Sequence, residues 1–469
     1  MTTALDRTLL DEVSGLIAER MGLHFPEERW PDLARGLRSA GLELGFGHPE
    51  ACVEWLRGRS LTSRQIETLA SHLTVGETYF FRDPASFEAL EREVLPPLLA
   101  RRAETGKTLR LWSAGCCTGE EAYSLAITCA RALPDRRGWS VSILATDINP
   151  SFLAKAEAGV YTSWSFRGAP DWLRARFFTA APDRKHAIDP AIQELVHFAY
   201  LNLAEDAYPS LHNHTNAMDV IFCRNVIMYF TPEHQRRVVA ALHRALVDGG
   251  CLVVNPAEAS VALFPMFALE NLDGVLLFRK SSRPAGEGPP PEPLAVRAPA
   301  VSPPEPLASR TPAVSPPEPL ASRAPAAAVT PVAQPNTASP PESPLELARI
   351  HADQGRLEQA LASCEDAIAA ERTNLAAHFL VATICVELGR VEAAIAALGK
   401  VLYLDQDFVL AHQALGGLYK RLGKEREAAR HLTVALDLLS KRGRDELVPE
   451  SGGMTCGRLL ESVRAMREA

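Results

Sequence analysis

Apolar residues along this chain follow two rhythms. Leu109-Arg110-Leu111-Trp112-Ser113 and Val141-Ser142-Ile143-Leu144-Ala145-Thr146-Asp147 are short apolar runs that predict strands. The first runs into Ala114-Gly115-Cys116-Cys117-Thr118-Gly119-Glu120-Glu121, a glycine turn opening a helix, and the second ends in an acid. A third strand is closed by the polar stretch Cys223-Arg224-Asn225-Val226-Ile227, followed by Met228-Tyr229-Phe230. Elsewhere the spacing is helical: Leu9, Val13, Leu16 and Ile17 recur on one face, as do Ile66, Leu69, Ala70 and Leu73 behind Ser63, which is placed as an N-cap. From position 355 the pattern becomes periodic, with Gly355, Gly389 and Gly423 spaced 34 residues apart, each followed five positions later by alanine (Ala360, Ala394, Ala428). This is the signature of a tetratricopeptide array, with Leu357, Val391, Leu361, Ile395, Leu380, Leu388, Leu415, Leu418 and Leu422 as its shared core.

Strand, glycine turn, helix, strand and acid, in that order, is how an open parallel sheet binds an adenosyl group at its carboxyl edge. Alone, each signal has a plainer reading. The turn is not GxGxxG, and such turns also pack helix on strand; Asp147 also suits punctuation before Asn149-Pro150. The adjacent Cys116-Cys117 lacks a second cysteine pair or a histidine at ligand spacing, so small packing residues are expected there and no metal.

The segment from Asp147 to Asn202 exceeds a simple crossover and predicts an inserted subdomain at about 165–200. Arg283 to Pro344 holds nineteen of the 35 prolines and no aromatic residue, so it cannot build a core and reads as a disordered, semi-rigid polyproline spacer, with PxxP docking as the alternative. Nine cysteines without a framework suit a reducing cytoplasm, and the opening residues, with Asp6, Arg7, Asp11 and Glu12, are neither signal peptide nor membrane span. A net charge of −8 argues against nucleic acid. The predicted organisation is a helical domain (1–84), a sheet domain (85–282), the linker (283–344), the repeats (345–440) and a tail or capping helix (441–469).

Taken together, the motifs resemble those of the chemotaxis receptor methyltransferases, the CheR family. Thr74-Val75-Gly76-Glu77-Thr78-Tyr79-Phe80-Phe81-Arg82-Asp83 is similar to the family's N-E-T-x-F-F-R segment. Trp112 to Ser124 is similar to W-S-A-x-x-x-x-G-E-E-P-Y-S, and Ala145-Thr146-Asp147-Ile148-Asn149, Asn202-Leu203 and Cys223-Arg224-Asn225-Val226 complete the set. The resemblance covers roughly the first 280 residues. It implies a Rossmann-like S-adenosylmethionine methyltransferase with a small N-terminal all-α domain and an inserted antiparallel β subdomain, here joined by the linker to a C-terminal α-solenoid. It places the cofactor against Gly76, Thr78, Arg82, Glu121, Asp147, Asn202, Leu203, Arg224 and Asn225. Two departures stand out. Gly76 replaces an asparagine, leaving a backbone or water contact there, and the closing strand, which usually carries a G-H-S-E run, reads Val253-Val254-Asn255-Pro256-Ala257-Glu258, so the resemblance does not define that end of the pocket.

The implied activity is protein-glutamate O-methylation of chemoreceptor cytoplasmic domains, for adaptation, by a cytoplasmic enzyme without membrane insertion, with the repeats binding a further protein. Arg82 is the candidate to grip the attacking carboxylate, or else the cofactor's own carboxylate; Tyr229 lines the methyl channel or packs beneath the sheet edge; Arg224 belongs to the site or to a strand-end ion pair. Arg29, Arg35, Arg38, Arg57, Arg59 and Arg64 form a receptor-docking face or a solvated surface. The absence of glycine from Phe177 to Ala187 points to an enzyme independent of a pentapeptide tether at receptor tails. The rival readings are methylation of another protein or a small molecule, and a cofactor-sensing scaffold without turnover.

Overall fold

The computed structural model describes residues 7–46, 49–58, 61–281, 343–444, 446–451 and 454–468. The segment predicted as a linker lies outside them up to residue 342, as does Arg59. Four helices open the chain: α1 (Arg7–Met21), α2 (Trp30–Glu43), α3 (Pro49–Gly58) and α4 (Ser63–Leu73). Their apolar faces close on a core of Val13, Ile17, Met21, Leu33, Leu37, Leu56 and Leu69. The N-cap of α4 is Thr62, one residue before the predicted Ser63: its hydroxyl accepts from the Gln65 amide while the Gln65 side chain accepts from the Thr62 amide, a reciprocal capping box.

Helices α5 (Pro84–Ala89) and α6 (Leu95–Thr105), joined by a π turn at Leu90–Val94, lead into the sheet domain. Then come β1 (Thr108–Ala114), α7 (Glu120–Ala132), β2 (Ser140–Asp147), α8 (Pro150–Ala158), β3 (Val160–Tyr161), α9 (Asp171–Phe177), β4 (Phe178–Ala181), β5 (Lys185–Ile188), α10 (Pro190–Gln193) and β6 (Val196–Tyr200). The second half contains β7 (Met218–Phe222), α11 (Pro232–Ala245), β8 (Leu246–Val253), β9 (Phe267–Leu272) and β10 (Val275–Lys280). Seven strands form one sheet in the order β6-β2-β1-β7-β8-β10-β9. The five from β6 to β8 are parallel, and β10 and β9 complete the edge antiparallel. Helices cover both faces, so β7 is buried along its whole length. Leu109 and Leu111 enter one core layer, Trp112 and Ala114 the other. The chain builds outward from β1 through β2 to β6 and then crosses back to β7, so the strand order reverses between β1 and β7.

A second sheet, β3-β5-β4, is antiparallel and is keyed to the rest by Phe80, whose ring lies about 5 Å from those of Tyr161, Phe166 and Phe178. It spans 160–188 rather than the expected 165–200, because Val196–Tyr200 is the outermost parallel strand of the main sheet. The β4–β5 turn reaches positive φ without glycine, through Asp183 (58°) and Arg184 (57°).

The repeats are three antiparallel helix pairs, α12 (Pro344–Asp353) with α13 (Leu357–Ala370), α14 (Leu375–Glu387) with α15 (Val391–Leu404), and α16 (Val409–Arg421) with α17 (Glu425–Ser440). Ala360, Ala394 and Ala428 are fully buried where the paired helices meet. The final helix, α18 (Cys456–Glu468), buries Leu459 and Val463 in the same core, so the tail caps the array. Helices α12 to α18 pack with the described residues of the helical and sheet domains as a single compact unit, where the sequence suggested a module hung on a spacer.

Candidate functional site

The strand-order reversal places a crevice at the carboxyl ends of β1 and β7, the position at which doubly wound sheets hold ligands. A cavity of about 1090 Å³, including its open mouth, lies there. It is lined by Thr78, Arg82, Glu121, Asp147, Asn202, Leu203, Arg224, Asn225 and Tyr229, which gathers all the predicted site residues except Gly76. At Gly76 an added Cβ would come within 2.8 Å of the Phe152 ring, itself part of the cavity wall, so the volume of the expected asparagine side chain is filled by an aromatic edge.

Two strands and a turn build the floor. At the end of β1, Gly115 takes φ +86°, and a Cβ there would meet Val226 Cγ2 at 2.3 Å, so the turn accepts glycine alone. The amides of Gly115 and Cys116 donate to the Thr146 carbonyl at 2.8 and 2.9 Å. Asp147, the last residue of β2, accepts from the Cys117 amide through Oδ2 and from the Asn149 amide through Oδ1, both at 2.9 Å. Burial pushes its carboxyl up from the ordinary range, against the pull of those amides. Burial, reinforced by the Asp147 charge, also pushes the Cys117 thiol up to about 12, which keeps it protonated and leaves the cysteine pair as wall rather than nucleophile.

Facing this floor, Glu121 in the first turn of α7 accepts from the Ser113 hydroxyl at 2.8 Å. Burial raises its carboxyl, and the Arg224 charge opposes the shift. Arg224 is almost wholly buried; its Nη1 donates to the Arg82 carbonyl at 2.8 Å and its Nη2 to Asp83 Oδ2 at 3.1 Å. It therefore lines the cavity and at the same time fixes the backbone beneath Arg82. Phe81 and Asp83 on either side of Arg82 both adopt left-handed backbone (φ 55° and 61°), and the Phe81 amide is held by Ser124 Oγ at 3.0 Å. Such strain persists only where the surroundings impose it, and here it aims Arg82 at the cavity. One N–H of Arg82 donates to the Glu77 carbonyl at 2.6 Å.

Two parts of the site were not legible in the sequence. The first is the lid: Leu23 forms an isolated β-bridge with Phe230, and the His24 amide donates to the Tyr229 carbonyl at 2.7 Å. Met21, Leu23, His24, Phe25 and Arg29 thus become cavity wall, and the Arg29 guanidinium lies over the Tyr229 ring at 5.1 Å. Arg29 is accordingly part of the site, whereas Arg35 and Arg57 are paired on the surface with Asp32 and Glu12. The second is Glu258, whose carboxylate accepts from the amides of Asn225 (2.7 Å), Val226 (2.9 Å), Met228 (3.1 Å) and Asn255 (3.2 Å). It is the one letter retained from G-H-S-E, and that identity was the available signal.

These features define a class: an open, doubly wound sheet with a nucleotide-type crevice at its switch point, a carboxylate at the end of the second strand and a helical lid. A model described as "CheR methyltransferase, SAM binding domain" matches residues 76–271, and a tetratricopeptide repeat model matches 351–418. Chemotaxis protein methyltransferase 1 of Pseudomonas aeruginosa is 38% identical over 197 residues, 41% of this chain and 69% of that protein. A probable chemotaxis protein methyltransferase of Rhizobium etli is 34% identical over 229 residues, 48% of this chain and 81% of that protein. An uncharacterized 104.1 kDa protein of Rhodobacter capsulatus is 36% identical over 206 residues, 44% of this chain but 21% of that longer protein. The chain belongs to the CheR methyltransferase family, and its cofactor is S-adenosylmethionine.

The cavity suits that cofactor. Asp147 presents a fixed acceptor at the ribose position of doubly wound folds, and Gly115 leaves the room a side chain would take. Among the described residues no group of His, Cys, Asp and Glu is arranged to hold a metal, and no helix is long and apolar enough to cross a membrane.

Proposed function

We propose that this protein methylates glutamate side chains on the cytoplasmic domains of chemoreceptors, setting adaptation in a chemosensory pathway. The observation that carries the reading is the strained Phe81-Arg82-Asp83 segment, which holds a guanidinium at the cavity beneath the helical lid. The names of the relatives supply the chemotaxis context.

The cofactor supplies a methyl group on a positively charged sulfur. A glutamate carboxylate is ionised at neutral pH and attacks without a base. With the cofactor bound, the transfer it would supply makes an oxygen–carbon bond as the carbon–sulfur bond breaks, the electron pair staying on sulfur, and would require no proton to move. What remains for the protein is alignment, which supplies rate by proximity. Asp147 would hold the ribose hydroxyls, with Glu121, Asn202, Leu203 and Asn225 enclosing the rest. Arg82 would orient the attacking carboxylate through paired hydrogen bonds, and Tyr229, under Arg29, would border the methyl path. The repeats would bind a protein. The β4–β5 turn, shaped by Asp183 and Arg184 where tether-binding relatives use glycine, supports docking independent of a pentapeptide tether.

The test is transfer of tritiated methyl from the cofactor to purified receptor cytoplasmic fragments by the full chain. Label that is released by mild base and lost when the acceptor glutamates are changed to alanine supports ester formation. Cofactor binding without transfer to any receptor fragment would favour the scaffold reading.

A further inference from the structure

The loop between β6 and β7 has neighbours of two kinds. Its first residues, Leu201, Asn202 and Leu203, line the cavity, while its last enter the repeats. Leu211 is buried in an apolar cluster with Ala348, Ala352, Cys364, Leu380 and Ile384. The His212 ring stacks on Phe379, 5.2 Å between centroids and 6° from parallel. Polar groups are matched across the same contact: the Ala217 amide donates to the Asp353 carbonyl at 3.1 Å, the Asn216 side chain to the Ala352 carbonyl at 3.3 Å, and Arg110 of β1 pairs with Glu387 at 3.0 Å. Most of these repeat residues sit on α12 and α14, the first helices of the first two units, so the loop occupies a face that solenoid repeats offer to partners.

Between its ends the loop is braced. The Tyr208 hydroxyl donates to the Leu203 carbonyl at 3.0 Å, its ring packs edge-on against Trp112 at 5.4 Å, and the Asn213 side chain donates to the Ala207 carbonyl at 2.8 Å. A second connection runs through the cap. Arg458 of α18 lies over the Tyr200 ring, 3.3 Å from its centroid, and pairs with Glu67 of α4. Tyr200 adjoins Leu201, and α4 ends at Leu73, which with the following Thr74 lines the cavity.

The glycines of the 34-residue period, Gly355, Gly389 and Gly423, mark how close this approach is. All three adopt left-handed backbone, but only at Gly355 would a Cβ collide with the sheet domain, 2.8 Å from Ala217 Cβ; at Gly389 and Gly423 nothing lies within 4 Å.

We propose that the partner face of the first two repeat units is occupied by this chain's own 211–217 loop, and that this contact holds the cofactor cavity in its binding shape. A protein that competes for the repeats then lowers cofactor affinity, and cofactor lowers the affinity of the competitor by the same factor. The coupling, though not the docking, rests on the cavity being the cofactor site.

The experiment compares the full-length wild type with Gly355→Asn, Gly389→Asn and Leu211→Ser. Asparagine tolerates left-handed backbone, so the two glycine variants differ chiefly in the collision with Ala217. Amide hydrogen exchange at Asn216 and Ala217 is read beside calorimetric affinity for S-adenosylhomocysteine, and retained protection of β1 shows that each variant is folded. Gly355→Asn and Leu211→Ser should speed exchange at Ala217 at least tenfold and weaken binding at least fivefold, with Gly389→Asn matching wild type in both. Unchanged exchange in Gly355→Asn and Leu211→Ser overturns the docking. Faster exchange with unchanged affinity overturns the coupling. A wild type that does not bind S-adenosylhomocysteine overturns the coupling together with the cofactor reading, while the exchange comparison still decides the docking.

Discussion

A single carboxylate at position 258 organises four backbone amides, so the loop from Asn225 to Met228 has its shape because one acid lies behind it. Glu258→Gln keeps the volume but turns an N–H₂ toward donors, leaving at least one buried amide unmatched. Unfolding in urea should show a loss of about 1–3 kcal/mol, and cofactor affinity should fall because Asn225 and Val226 line the cavity. Unaltered stability and affinity would remove Glu258 from the site. Asp147→Ala should weaken S-adenosylhomocysteine binding more than tenfold, since a buried charged acceptor is worth roughly 1.5–3 kcal/mol; calorimetry showing the wild-type dissociation constant in a folded variant would place the ribose elsewhere. Arg82→Lys should rescue turnover poorly relative to Arg82→Ala, because a point charge cannot reproduce a paired grip. Near-normal turnover in the lysine variant would reject that role. Asp147 was readable because an apolar strand ending in an acid announces itself locally, and Arg82 because its segment resembles a family motif. Glu258 and Leu23 were not, since their meaning lies in amides some thirty positions away or in an isolated bridge to Phe230 some two hundred away.

At the scale of elements, sequence rhythm located β1, β2, α7 and the repeat helices, because each buries one continuous face. It misplaced the edge of the inserted sheet: Val196–Tyr200 has only half-buried side chains over most of its length, and nothing local says which of two sheets it will join. The contact between the repeats and the β6–β7 loop was likewise invisible, being made by residues such as Leu211 and His212 in a stretch without periodicity. That contact carries its own pH dependence. Burial, with the nearby His214 and Arg349 charges, pushes His212 down to about 4; burial pushes Asp353 up to about 7, against Arg244 and Arg349. A histidine depressed in the folded state stabilises fully above its unfolded pKa of about 6.5, and that stability is lost as pH falls toward 4. A carboxyl raised in the folded state acts oppositely, its contribution fading as pH rises through 7. The two partly offset each other between pH 4 and 7. In His212→Asn the stability deficit relative to wild type should therefore widen as pH rises from 4 to 6.5, measured by urea unfolding at each pH; a deficit independent of pH would mean that His212 titrates normally.

For the whole molecule, the described residues on either side of the linker form one body, in which the repeats pack against the far end of the loop whose first residues line the cavity. The sequence indicated both modules and the proline-rich segment between them; it did not indicate that they pack together, because the interface is assembled from single residues of a loop, strand ends and several helices. The proposed chemistry is transfer of methyl from S-adenosylmethionine to a receptor carboxylate in the cavity that combines Asp147, Arg82 and Tyr229 beneath the helical lid. The most direct measurement is base-labile tritiated methyl on receptor cytoplasmic fragments incubated with the full-length protein and labelled cofactor. Incorporation should depend on specific receptor glutamates and be abolished by Arg82→Ala. Stoichiometric cofactor binding with no base-labile label on any receptor fragment would contradict it.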